Sequence, residues 1–484
     1  MSWLTRLKER LGDVDADAAL AAAMGGLVEL AAARYPVDPG RRWRKGEPLE
    51  VLFAGYAGTR NTGADIRVEE MIRQLRWILG DGGGAFSILT IDPALSAGYF
   101  PGVRQLHLPQ IFPKFVFDVV HEQHAVIACE GSMFKSKFAN ALSILMAGAL
   151  GCAVAENKPA IGWGGEAGAM DPSLQRLVRR TCSGATILCR NEASRQVLAE
   201  LGLNQTRPGT DTAWTVSPPD PAIGEALLRQ AGWDGRQPVL IVAPIRPFGW
   251  PVKAEIGRAV AHRLTGLDAE DHYASIYFHR GGDEPARQQT TYEAGLVQGV
   301  RAFCSRQPHF VVVMGMERLD RRACESVAHA LGGAPVFVSD DHRWPEMLSV
   351  LRSASMLLSS RYHAVVCSMG GLVPSAGVTM DERLRNLYDD RGTPELCLGV
   401  SDDALGDRVL DVLTRLHLQR EAIRAGTAKS VAGHLRRMGE MGRDVAATLR
   451  EQLPGIPMRP GLGDDPWAYL PPLHPSLTAL VEGR

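Results

Sequence analysis

The chain has 484 residues, of which 45% are hydrophobic and 22% charged, and a formal net charge of −1. That length allows two or three domains with sizeable cores. The balanced charge excludes both the basic surplus of a nucleic-acid binder and the acidic surplus of a solvating tail, so no nucleic-acid partner is expected.

Eight cysteines lie at positions 129, 152, 182, 189, 304, 324, 367 and 397. No C-x-x-C occurs and no Cys/His cluster has zinc spacing, so buried free thiols in a reducing cytosol are expected, and no metal. The opening MSWLTRLKERLGDVD is broken by charges and has no signal-peptide core. Residues 1–35 read as helical, with Leu20, Met24, Leu27 and Leu30 at helical spacing, and Glu29 argues against a membrane span. Residues 36–48 form a linker carrying the basic run Arg41-Arg42-Trp43-Arg44-Lys45. A run this short is either a solvated loop or a contact for an anionic lipid headgroup or carrier. The span 1–47 is therefore an N-terminal helix and linker.

From residue 48 to 216 apolar strands alternate with helices, each strand ending in a polar or glycine turn, the pattern of a parallel α/β domain. Its first strand, LEVLFAGY, enters a loop containing Gly55, Gly58, Asn61, Gly63 and Asp65. Helical spacing follows from Ile66 to Ile78. Strand, glycine-rich loop and helix form the layout of an anion cradle; the alternative is a tight turn that needs glycines for its backbone angles alone. The loop is neither a Walker A nor a G-x-G-x-x-G sequence. A strand over 125–128 runs into Glu130-Gly131-Ser132-Met133-Phe134. Residues 139–155 read as a buried helix, its apolar run of about fifteen residues being short of the ~20 that span a bilayer. A further strand, 186–189, leads into Arg190-Asn191-Glu192-Ala193-Ser194.

Pro218-Pro219-Asp220-Pro221 marks a break, and the α/β pattern restarts at PVLIVAP, giving a second domain over 235–415. Its strands are expected at 239–243, 276–278, 310–314, 335–338, 356–358 and 375–378. The segment after 356–358 reads Ser359-Ser360-Arg361-Tyr362-His363. At a strand end an Arg fork clamps carboxylate or phosphate and a His moves a proton; the alternative is that Arg361 pairs with a nearby acid and His363 caps the helix. Trp250 follows another strand end, where it either stacks on a sugar ring or packs within its own loop. Asp381 either binds hydroxyls or caps the next helix. Residues 416–484 hold a charged helix that could cross back over the first domain, then a Pro- and Gly-rich tail. The fold class is thus α/β: two Rossmann-like parallel-sheet domains facing a cleft, a glycosyltransferase-B-like arrangement.

Taken together, these motifs resemble the polysaccharide pyruvyl transferase family. Gly55-Tyr56, Gly58, Asn61 and Gly63 match its first loop. Glu130 to Phe134 stands at its central glycine segment, Arg190 to Ser194 at its R-x-x-x-S element, and Ser359 to Ala364 with Val373-Pro374 at its C-terminal element. The match departs at Ala64 before Asp65, at Glu130-Gly131, and at Met380-Asp381-Glu382-Arg383.

The resemblance implies transfer of a pyruvyl group from phosphoenolpyruvate to two hydroxyls of a glycan or glycolipid, forming a ketal and releasing phosphate. It implies His363 and Arg361 as catalytic residues, and Arg190, Gly58, Asn61, Gly63 and Asp65 at the donor. Glu130, Ser132, Trp250 and Asp381 are the acceptor candidates. No cofactor is expected beyond phosphoenolpyruvate as co-substrate. The expected partner is a sugar or lipid-linked glycan, handled in the cytoplasm, with peripheral association at the inner face of a membrane left open. A glycosyltransferase of the same fold using a nucleotide sugar, and a catalytically silent glycan-binding relative, are the competing readings.

Overall fold

A computed structural model describes residues 15–255 and 277–483. The first fourteen residues of the expected N-terminal helix, and Ile276 at the head of an expected strand, lie outside the described residues.

The first sheet has seven parallel strands: β1 (Leu49–Ala57), β2 (Gly84–Thr90), β3 (Arg104–His107), β4 (Ala125–Ala128), β5 (Ala160–Gly165), β6 (Thr186–Cys189) and β7 (Thr206–Pro208), in the order β3-β2-β1-β4-β5-β6-β7. The second has six, β8 (Val239–Ala243), β11 (Phe310–Gly315), β12 (Val336–Val338), β13 (Met356–Ser359), β14 (Ser375–Thr379) and β15 (Cys397–Gly399), in the order β12-β11-β8-β13-β14-β15. Numbered within its own domain, the second sheet repeats the 3-2-1-4-5-6 order of the first. Strand order reverses beside β1 in one domain and beside β8 in the other. In such doubly wound sheets the crevice for a ligand opens at the carboxyl ends of the strands at this reversal. The central strands β4, β5, β6, β8, β13 and β14 are buried along their whole length, as strands covered on both faces must be.

One expected strand falls elsewhere. Tyr277–Phe278 (β10) pairs antiparallel with Lys253–Ala254 (β9) in a separate two-stranded ribbon. Its aromatic residues gave it a strand's composition, but two paired residues are too short to span the core of a sheet.

The Ala16–Arg34 helix is, among the described residues, the one helix long and apolar enough to cross a membrane. In this fold it lies against the Asn140–Ala155 and Pro172–Thr181 helices, with Met24 and Ala31 fully buried. The Arg420–Gln452 helix joins the domains. Val431, Leu435 and Met438 enter the second domain's core, while Met441, Val445 and Leu449 enter the core on one face of the first sheet. The chain therefore passes between the sheets twice, once through residues 209–238 and once along this helix.

Candidate functional site

The Thr62–Leu79 helix begins at the end of β1. Asn61 caps it by accepting the Ala64 N–H at 3.1 Å. Gly58, in the turn before it, has φ +78°, and a Cβ there would lie 2.1 Å from Thr90 Oγ1, so the tight-turn reading accounts for that glycine. Gly63 has a different task. A Cβ on it would lie 2.2 Å from His363 Cγ in the other domain.

His363 sits in the first turn of the Tyr362–Met369 helix, which starts beyond β13. Its ring does not cap that helix: Nε2 reaches Asp211 Oδ2 at 3.3 Å across the domain boundary. Since a carboxylate only accepts, the Nε2 proton points at Asp211 and Nδ1 carries the lone pair. Burial pulls the His363 pKa below the ordinary histidine range. Asp211 opposes that pull, while Arg190 and Arg67 add to it.

Asp211 is fully buried and has three basic neighbours, two arginines and a histidine. Arg67 Nε lies at 3.0 Å, Arg190 Nη2 at 2.9 Å, and His363 completes the set. Its other oxygen accepts the Ala213 N–H at 2.9 Å. Burial alone would raise its pKa; Arg67 and Arg190 outweigh this and hold it well below the carboxylate range. Arg67 also donates to the carbonyls of Cys129 at 3.1 Å and Gly164 at 3.0 Å. Arg190 donates to Glu166 at 3.2 Å, lies 4.6 Å over the Tyr362 ring, and fills the space a Cβ on Gly131 would need.

The turn carrying Asp211 is braced from behind by the Arg420–Gln452 helix. Trp214 stacks on His434 at 4.1 Å and donates Nε1–H to Thr210 Oγ1 at 2.9 Å, while Thr210 Oγ1 lies 2.8 Å from His434 Nδ1.

Arg361 shows the pairing alternative in its geometry. Its fork binds Asp320 through Nε at 2.8 Å and Nη2 at 2.5 Å, and Nη2 also meets Glu317 at 2.8 Å. Burial pushes the Asp320 pKa up to about 6, even with Arg361 pulling the other way. Glu317 accepts the Tyr56 hydroxyl at 3.0 Å, and Thr62 N–H donates to Met316 carbonyl at 2.9 Å, so this segment also touches the first domain. Asp65 is buried in the first helical turn; desolvation raises its pKa well above normal, and Glu69 adds to the effect.

The acceptor candidates fall into two places. Glu130 and Ser132 are buried in the loop after β4, where Glu130 Oε1 receives the Ser132 N–H at 3.3 Å. Asp381 caps the Glu382–Asp390 helix through the Arg383 N–H and binds Arg383 Nε at 2.8 Å. Buried Lys135 of the first domain bonds Glu382 at 2.8 Å and lies 3.9 Å from both Asp381 and Glu166. Trp250 packs edge-on against Phe138 at 5.2 Å and His279 at 4.6 Å, beside this second group. Residues from both domains thus gather in one cleft: Gly63, Asp211, Arg190, Gly131 and His363 at its centre, and Lys135, Asp381 and Trp250 to one side. Among the described residues no cluster of three metal-ligating side chains occurs.

Arg67, Asp211 and Glu317 did not stand out in the sequence. Arg67 had a readable signal. Gly63, Arg67, Glu70 and Gln74 follow one helical face at core spacing and are all buried. A polar stripe at apolar positions marks a buried network.

Comparison with known proteins bears on both fold and family. The family model for polysaccharide pyruvyl transferase matches residues 147–382, which include Arg190, Arg361 and His363. No curated protein matches the chain. Among solved structures, Anabaena HepE in complex with UDP and glucose aligns with TM-score 0.50 and 11% identity, covering 83% of this chain and 99% of its own. The UDP-GlcNAc 2-epimerase of Neisseria meningitidis aligns with TM-score 0.49 and 10% identity, covering 83% and 100%. At 11% identity the likeness to HepE speaks for the fold alone, a pair of facing Rossmann-like domains.

Proposed function

With the polysaccharide pyruvyl transferase pattern present over residues 147–382, we propose that the chain transfers a pyruvyl group from phosphoenolpyruvate to two hydroxyls of a glycan or glycolipid. One observation carries the reading. His363 of one domain rests on Gly63 of the other and is bonded to Asp211, which Arg190 and Arg67 hold in turn. The resemblance named Gly63, Arg190 and His363 separately, and they meet at one point.

The chemistry balances without an outside acid or base. Two hydroxyls lose a proton each; one proton ends on carbon 3 of the donor and the other on the departing phosphate. Two C–O bonds form at carbon 2 as the π bond between carbons 2 and 3 and the C–O bond to phosphate break. A single group that takes and returns protons serves this sequence. His363 fits, because its neutral ring keeps a lone pair on Nδ1 while Asp211 holds Nε2–H. The donor's carboxylate and phosphate need planar forks. Arg361 offers one once a donor oxygen displaces Asp320 or Glu317, and Asp320 leaves most readily when protonated.

The test is phosphate release from phosphoenolpyruvate with lipid-linked and free oligosaccharide acceptors, for wild type and His363→Ala. Acceptor-dependent release that the substitution abolishes supports the reading. Turnover of nucleotide diphosphate sugars alone would overturn it.

A further inference from the structure

A second cavity lies far from the cleft. Its volume is about 310 Å³, and Arg41, Arg42, Trp43, Lys45, His124 and Lys158 line it together with the end of the Arg420–Gln452 helix. His124 precedes β4 and Lys158 precedes β5, so the cavity opens at the amino ends of the strands. The cleft residues stand at the opposite ends, roughly 20 Å away along a six-residue strand.

The wall carries four basic side chains, Arg41, Arg42, Lys45 and Lys158, and no carboxylate. Two are neutralised from behind: Arg41 by Glu50 at 3.0 Å and Lys158 by Glu156 at 2.7 Å. The other two are not. Arg42 donates to the carbonyls of Glu156 and Asn157, each at 3.0 Å, and to the Tyr35 hydroxyl, and has no carboxylate partner among the described residues. Lys45 is exposed and forms no ion pair or side-chain hydrogen bond among them. Two uncompensated cations in a concave, partly aromatic wall attract a compact anion. The neighbouring cavity of about 450 Å³, lined by Asp38, Glu50 and Glu122 besides Arg41, has the opposite character, so the positive surface is local.

We infer that this basic cavity is a second binding site, taking a phosphate-bearing group through Arg42 and Lys45. It is independent of the reaction in the cleft. The phosphate belongs either to a soluble molecule or to a lipid headgroup, and two probes separate these sources. The full chain is titrated calorimetrically with inorganic pyrophosphate, and sedimented with phosphatidylcholine vesicles with or without phosphatidylglycerol. Both are repeated with Lys45→Glu, which removes no internal bond, and with Arg42→Gln/Lys45→Glu, whose melting temperature is checked because Arg42 braces two carbonyls.

A soluble ligand gives pyrophosphate binding weakened about tenfold or more by Lys45→Glu. A headgroup gives sedimentation only with phosphatidylglycerol, lost in the same variant and weakened by salt. Failure of both probes overturns the site. So does binding that is unchanged in Lys45→Glu, including pyrophosphate binding that Arg361→Ala abolishes instead, since that belongs to the cleft.

Discussion

Gly63 and His363 touch across the domain boundary so closely that a single methyl group on residue 63 would overlap the imidazole, 2.2 Å from its Cγ. A helix start in one domain thereby fixes the ring position in the other. Gly63→Ala must push the ring off Asp211 or part the domains. Small-to-large changes in packed sites cost about 1–3 kcal/mol, and misplacing a reacting group by 1 Å can cost about 100-fold in rate. The expectation is a kcat reduced by about 10- to 100-fold while urea unfolding still shows a folded chain. A full-rate Gly63→Ala enzyme would separate this contact from catalysis.

Asp211 is a positioning residue for His363 and the counter-charge for two buried arginines. Removing one partner of a buried ionic group costs about 3–5 kcal/mol, so Asp211→Asn should lower the urea midpoint markedly. A purely structural role would stop there. Because Asp211 raises the His363 pKa against the pull of burial and the arginines, its loss should also move the acid limb of the kcat/KM profile to lower pH. A limb that stays in place would leave Asp211 with structural duties only.

Asp320 supplies a different pH dependence. With its pKa raised to about 6 by burial, it is ionised above that pH and grips Arg361, and protonated below it. The KM for phosphoenolpyruvate should therefore rise between pH 5 and 7. Asp320→Asn should have the lower KM at pH 7 and a flatter profile. Parallel profiles for the two proteins would mean that the fork does not meet the donor.

His434 makes the fold sensitive to acid. Burial lowers its pKa to about 4 against Asp390's opposing effect, and the unfolded chain titrates near ~6.5. The unfolded state thus binds the proton first, and stability falls as pH drops from ~6.5 through about 4, by up to about 3 kcal/mol. His434→Phe should flatten this part of the stability curve, at a fixed cost of about 1–3 kcal/mol for the stranded Thr210 hydroxyl. Equilibrium urea titrations at pH 7 and pH 5 measure both effects.

Much of the architecture was legible because central parallel strands are apolar on both faces and end in turns with glycine or polar residues: LEVLFAGY, PVLIVAP and MLLSSR all announce themselves. The edges were not. β3 reads RQLH, and β7 and β15 have three residues each, too few for periodicity to register. Within the site, Arg190 and His363 stood at strand ends where position implies chemistry. Asp211 stood in Thr-Asp-Thr-Ala, an ordinary turn by composition, and gains its meaning from three side chains 21 to 152 positions away in sequence. Arg361 stands at a strand end that the sequence shows, but Glu317 and Asp320, which hold it, come from a separate loop that no local pattern ties to it.

The two passages of the chain between the sheets have a mechanical consequence. A protein of this shape with one linker can gape freely; two linkers make a closed circuit and leave rotation about the line between them as the easy motion. Thr210 and Asp211 belong to the first passage, and His434 on the second presses against them. The line between the two passages therefore runs beside the His363–Asp211 contact. On the proposed function, a rotation about that line would admit a glycan with the bond between His363 and Asp211 kept, and loosening the contacts of His434 with Thr210 and Trp214 should disturb the motion and the chemistry together.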